Sequence, residues 1–76
     1  MISSQDKALL AAFGKRLQNL RREKGLTQEQ VAAAIDIHVV TLARLETGKR
    51  WIGLPTLRKI ASTLGVEIKD LFEGVN

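Results

Sequence analysis

Apolar residues recur at spacings of three and four along most of this chain, the period of a helix packed on one side. Leu10, Phe13, Leu17 and Leu20 predict a first helix over residues 7–24, capped by Asp6 and stopped by Gly25. Residues 1–5 are expected to form a flexible tail, leaving 6–76 as one folded domain. Thr27 then reads as an N-cap, and Gln30, three residues on, completes a capping box. Val31, Ala32 and Ile35 give the inner face of a short second helix ending near Ala34 or Ile35. Asp36 falls where the chain turns, and aspartate tolerates a left-handed backbone better than most residues. A third helix is predicted from residue 39 to 46 or 47, with His38 near its cap and Gly48 as its stop. Pro55 marks the first turn of a fourth helix, with a stripe of Leu57, Ile60, Ala61 and Leu64 ended by Gly65. A fifth, short helix is predicted from about residue 68 to 72 or 73. No strand pattern or internal repeat interrupts this order. The fold class expected is all-α, a compact five-helix bundle whose helices 2 and 3 form a helix-turn-helix.

The third helix has two unlike faces. At about 100° per residue, Leu42 and Leu45 define its inner side. Val40 and Arg44 then lie nearly opposite, with Ala43 outward and Val39 and Thr47 on the shoulder. That outer arc is small and smooth, carries one long cation, and contains no acid, since Glu46 lies on the other side. A DNA major groove admits a helix; an arginine can donate two hydrogen bonds to guanine, and small apolar groups can touch thymine methyls. On that reading Val39 and Val40 read methyl groups and Arg44 reads guanine. The alternative from geometry alone is that Val39 packs on the core rim, Val40 is an isolated exposed apolar residue, and Arg44 is solvated or phosphate-bound.

Composition narrows the classes. Seventy-six residues fit a single small domain, with no room for a separate small-molecule effector domain. Without cysteine there is neither a disulfide framework nor a cysteine metal site. Twelve Lys and Arg against eight Asp and Glu give a net charge of +4, which suits a polyanionic partner. No apolar run approaches the roughly 18 residues of a membrane span. The opening "MISSQDK" lacks a basic segment leading into an apolar one, so a cytoplasmic protein with no membrane partner is expected. One histidine, no glycine-rich phosphate loop and no paired acids on a helix face leave nothing for catalysis, so an enzyme is not expected. No cofactor or metal is expected either.

The segment "LTQEQVAAAIDIHVVTLARLETGKR" resembles the lambda-repressor and Cro-type (xenobiotic-response-element-type) helix-turn-helix family of bacterial and phage regulators. The resemblance rests on Leu26, the run Thr27-Gln28-Glu29, Ala32, Ile35, Ile37, Leu42, Leu45, Glu46 and Gly48. Flanking segments "GKRLQNLRREKGLTQ" and "LPTLRKIASTLGVEIKDLF" extend it over about residues 13–73. It implies a five-helix DNA-binding domain with the third helix as reader. His38, Val39, Val40 and Arg44 then match base-reading positions, though for His38 a plain capping role stands as the alternative. Gln28 matches a residue that binds a DNA phosphate and braces the recognition helix, and the helix start at Thr27 and Gln28 offers N–H groups to a phosphate. Thr41 and Thr47 match positions near phosphates, and Lys49 and Arg50, just past the reader, are expected on phosphates too. Arg21 and Glu46 match an ion pair tying the first helix to the end of the third. Asp36 departs from the usual turn glycine, Val39 and Val40 stand where polar residues are common, and Trp51 and Ile52 replace a polar residue and a proline.

The same resemblance implies a homodimer on an inverted-repeat DNA operator, because one recognition helix reads too few base pairs alone. The interface is expected from Trp51, Ile52, Val66, Ile68, Phe72 and Val75, of which Ile68 and Phe72 also suit closing the core. A sequence-specific transcriptional regulator follows, either a repressor or similar to restriction–modification controller proteins. The alternative is an antitoxin or other protein-binding module on the same fold.

Overall fold

Four α-helices and one 3-10 helix follow one another along residues 3–75, the part of the chain that the computed structural model describes. They are α1 (Ser4–Glu23), α2 (Gln28–Ala34), α3 (Val39–Glu46), α4 (Leu54–Leu64) and the 3-10 helix Ile68–Phe72. The fifth helix expected from the sequence is therefore present at its predicted place but is not an α-helix, and the bundle has four α-helices rather than five. Its backbone closes as the Asp70 N–H donates to the Glu67 carbonyl at 3.0 Å, a bond across three residues. The Asp70 carboxylate in turn accepts from the Glu67 N–H at 2.8 Å, holding this tight turn while Leu71 is buried.

The first helix begins earlier than its apolar stripe indicates. Ser3, not Asp6, is the cap: its hydroxyl accepts from the Asp6 N–H at 3.1 Å. Ser4 and Gln5, assigned by sequence to a tail, are helical, while Met1 and Ile2 lie outside the described residues. Residues 4–9 are all exposed, so this first stretch gives no inward periodicity to read.

Each α-helix ends in the same pair of backbone bonds. A residue with left-handed φ donates back across the last turn, and the residue after it donates one position further back. For α1 these bonds are Gly25 N–H to Arg22 O (2.9 Å) and Leu26 N–H to Arg21 O (3.1 Å). For α2 they are Asp36 N–H to Ala33 O (3.3 Å) and Ile37 N–H to Ala32 O (3.0 Å). Gly48 and Gly65 end α3 and α4 likewise, so Asp36, at φ 59°, is the only non-glycine in this role.

The core runs through the middle of the bundle. Leu42 of α3, Ile60 of α4 and Leu71 of the 3-10 helix are completely covered, and Phe13, Leu17, Val31 and Leu45 nearly so. What aims α3 is its contact with α1. A Cβ on Gly14 would stand 2.5 Å from the Leu45 carbonyl oxygen and closer still to that of Glu46. One added at Gly48 would stand 2.9 Å from the Ala11 backbone. These two glycines let the end of α3 seat directly on the α1 backbone, which fixes the angle at which the opposite face of α3 meets solvent.

Candidate nucleic-acid interface

Between α2 and α3 the chain turns through Asp36, Ile37 and His38. Thr27 opens α2 with a reciprocal cap: its hydroxyl accepts from the Gln30 N–H at 3.0 Å, and the Gln30 amide oxygen accepts from the Thr27 N–H at 2.8 Å. With Val31, Ala32 and Ile35 turned into the core, α2 lies across the base of α3 and leaves the outer side of α3 uncovered.

That outer side carries the residues expected to read bases. Val40 is 57% exposed, and Arg44 is exposed with no ion pair or side-chain hydrogen bond among the described residues. His38 is the N-cap of α3 by position, yet its imidazole makes no capping bond and stands exposed. Val39 is half-buried and packs against the core rim, so only part of its side chain is available outward. The structure thus brings His38, Val40 and Arg44 onto one open face, with Val39 at its edge.

The residues expected at phosphates differ in how free they are. Lys49 and Arg50 are exposed beyond the end of α3. Thr27 is exposed and Thr41 half-buried. The Thr47 hydroxyl already donates within its own helix, lying 3.1 Å from the Ala43 carbonyl and 3.2 Å from that of Arg44. It must rotate before it can donate to anything else. Gln28 donates through Nε2 to Glu46 Oε1 at 3.0 Å, leaving its second amide N–H free.

Glu46 is the centre of a buried network. Arg21 donates to it twice, Nε to Oε2 at 2.6 Å and Nη2 to Oε1 at 3.1 Å, and donates through Nη1 to the Leu26 carbonyl at 2.7 Å. The Glu46 hydrogen bonds raise the Arg21 guanidinium above its ordinary pKa against the opposing effect of burial, so it stays charged. No buried side-chain polar atom among the described residues lacks a partner. This network joins α1, the start of α2 and the end of α3, the three elements that set the pose of the reading face.

The six residues expected at a subunit interface separate into two groups. Ile52, Val66, Ile68 and Val75 are half-buried and pack on the core. Trp51 and Phe72 remain 48% and 38% exposed. They flank Phe13 edge-on and tilted, at 5.2 and 5.0 Å between ring centroids. With Val75, Leu9 and Leu10 they line a mainly apolar groove of about 490 Å³, which Asp6 also borders. Leu9 was not singled out by sequence, and Leu10 was read only as part of the inward α1 stripe. Their signal was the widening of the α1 stripe from one apolar residue per turn to two. Arg16 donates to the Asp70 carbonyl and to Glu73, both at 3.0 Å, and anchors the 3-10 helix.

Among the described residues no group of three His, Cys, Asp or Glu could hold a metal ion, and no helix is long and apolar enough to cross a membrane.

Comparison with known proteins agrees with this arrangement. The helix-turn-helix family profile matches residues 17–71. The control protein C.MunI from Mycoplasma sp is 41% identical over 64 residues, 83% of this chain and 86% of that protein. The HTH-type transcriptional regulator DdrOP3 of Deinococcus deserti is 44% identical over 61 residues, 80% of this chain but only 47% of its own length. Among solved structures, the restriction–modification controller protein C.AhdI from Aeromonas hydrophila superposes with a TM-score of 0.80 at 36% identity, covering 83% of this chain and 96% of that one. Fold and relatives coincide, and the chain belongs to the helix-turn-helix family of DNA-binding transcriptional regulators.

Proposed function

We propose that this chain regulates transcription as a homodimer on an inverted-repeat operator, each protomer laying α3 in the major groove of one half-site. The observation that carries the reading is the bare outer face of α3, where Val40 is exposed beside an unpaired Arg44 on a helix whose other side is sealed in the core. Arg44 reads a guanine through its two-pronged guanidinium, Val40 and the exposed edge of Val39 touch thymine methyls, and His38 meets a base edge at the front of the helix. Lys49, Arg50, Thr27, Thr41 and the free amide N–H of Gln28 position the domain on the backbone, with Thr47 joining after its hydroxyl rotates.

A second copy is placed at the Trp51–Phe72–Val75 groove. Two large aromatics left half-exposed around a buried one form a patch that a partner's apolar surface covers with gain. Similarity extending over 86% of C.MunI and 96% of C.AhdI supports a controller-type role, in which occupancy follows protein concentration through dimerisation.

Selection of bound sites from random duplex DNA tests the reading. It is expected to return an inverted repeat. Arg44→Ala should relax the preference at one G·C pair per half-site and weaken binding there by about 1–3 kcal/mol. Recovery of unrepeated single sites would remove the dimer, and an unchanged preference in the mutant would remove the guanine contact.

A further inference from the structure

The family match begins at residue 17, yet α1 begins at Ser4, so several turns of helix precede the matched region. This leading segment runs alongside the loop after α3, with the Ala11 backbone pressed against Gly48. One turn ahead of Ala11, Lys7 borders a cleft of about 420 Å³ whose other walls include Leu10, Thr47, Lys49, Arg50 and Trp51. Three cations line this cleft and no acid does. None of the three has an ion pair among the described residues. Like charges gathered around one solvent-open hollow repel one another, and an anion seated between them relieves that repulsion. The cleft adjoins the C-terminal end of α3, one turn beyond Arg44, and holds Lys49 and Arg50, the two cations that the proposed pose puts on the bordering backbone.

We propose that Lys7, on the part of α1 ahead of the family match, completes a three-cation clamp with Lys49 and Arg50 that grips a DNA phosphodiester at the edge of the half-site. This rests on the DNA-binding reading above and adds a contact that the helix-turn-helix itself does not supply. The contact is blind to sequence: it lengthens the footprint and steepens the salt dependence without altering base preference. Trp51, the only tryptophan in the chain, forms part of the wall of the cleft, so its emission reports a small anion seated there.

The experiment measures affinity for the selected operator duplex across a salt series, using labelled DNA, for the wild type, Lys7→Gln and Lys15→Gln. Lys15 is exposed on the same helix but does not line the cleft, so its loss controls for net charge. Lys7→Gln is expected to lower the slope of log affinity against log salt by about 0.9 for each protomer bound, with base preference unchanged and Lys15→Gln near wild type. Equal slopes for wild type and Lys7→Gln, an equal loss in both mutants, or a changed base preference in Lys7→Gln would each overturn the clamp. A wild type that binds no duplex selectively would instead overturn the regulatory reading on which the clamp stands. Free inorganic phosphate, which does not drive dimerisation on an operator, should leave Trp51 emission constant at matched ionic strength. A saturating response to free phosphate would make the cleft a small-anion site and overturn its assignment to DNA.

Discussion

Arg21 and Glu46, 25 positions apart, meet as fork and carboxylate in the interior, Nε to Oε2 at 2.6 Å and Nη2 to Oε1 at 3.1 Å. The pair is more than a link between two helices, because Gln28 donates to the same carboxylate and Arg21 also holds the Leu26 carbonyl. Each helix that frames the reading face thus contributes one group to a single satisfied cluster. Such a cluster specifies one arrangement of α1, α2 and α3 more than it adds net stability, since two charges have been taken out of water to make it.

Removing one partner should therefore cost far more than removing both. Glu46→Leu or Arg21→Leu alone strands a buried charge and is expected to lower stability by about 3–5 kcal/mol. The double replacement should lose distinctly less than either single one. Urea denaturation of the three variants checks this. Single losses below about 1 kcal/mol would mean the pair behaves like an exposed one.

Gly14 carries the second prediction. Alanine at an interior helix position ordinarily stabilises by about 1 kcal/mol over glycine. Here the added methyl would meet the Leu45 and Glu46 carbonyls, which are backbone and cannot swing aside. Gly14→Ala is expected to reverse the usual sign, with a net loss of about 1–3 kcal/mol and weakened operator binding as α3 is pushed off its seat. A thermal melt that rises in the mutant would refute the close packing of α1 on α3.

These two features mark how far the sequence could be read. The stripe Leu10, Phe13, Leu17, Leu20 located α1, the capping box at Thr27 located α2, and the inward pair Leu42 and Leu45 told which side of α3 was out. Each is a local pattern repeated at helical spacing. The start of α1 was misplaced because a helix exposed on all sides has no apolar period. The 3-10 form of the last element was not legible because its five residues are too few to distinguish three residues per turn from 3.6. Gly14 gave no signal at all: a glycine inside a helix becomes meaningful only when the element opposite it is known. The free state of the His38 ring, the back-bonded Thr47 hydroxyl and the division of Trp51 and Phe72 from Ile52, Val66 and Ile68 likewise depend on neighbours distant in the chain.

Asp36 allows a stabilising change. It holds φ at 59° where three other helix ends use glycine. A non-glycine residue in this conformation carries a strain of about 1–2 kcal/mol, partly reduced for aspartate, whose short side chain tolerates it. Asp36→Gly should relieve that strain against a smaller rise in unfolded-chain entropy, for a net gain of up to about 1 kcal/mol, or about 4–8 °C in Tm for a domain of this size. A lower Tm would show that the aspartate side chain stabilises the turn by more than the backbone strain it bears.

The orientation of α3 is tested by two neighbouring residues that a sequence scale would rank alike. Val40 lies 57% exposed on the outer face, while Leu42, two residues on, is completely buried. Val40→Ala removes little packed surface and should change stability by less than about 0.5 kcal/mol. Leu42→Ala opens a void at the centre of the core and should cost about 2–5 kcal/mol. For operator binding the order inverts among folded molecules. Val40→Ala loses methyl contacts and should weaken preference for a thymine-bearing position, whereas Leu42→Ala, measured at a temperature where it stays folded, should keep the wild-type base preference. Denaturation curves and binding to single-base operator variants read the two effects separately. Comparable stability losses at both positions would mean that the face of α3 carrying Val40 is packed in solution, and the side of this helix assigned to DNA would then be the wrong one.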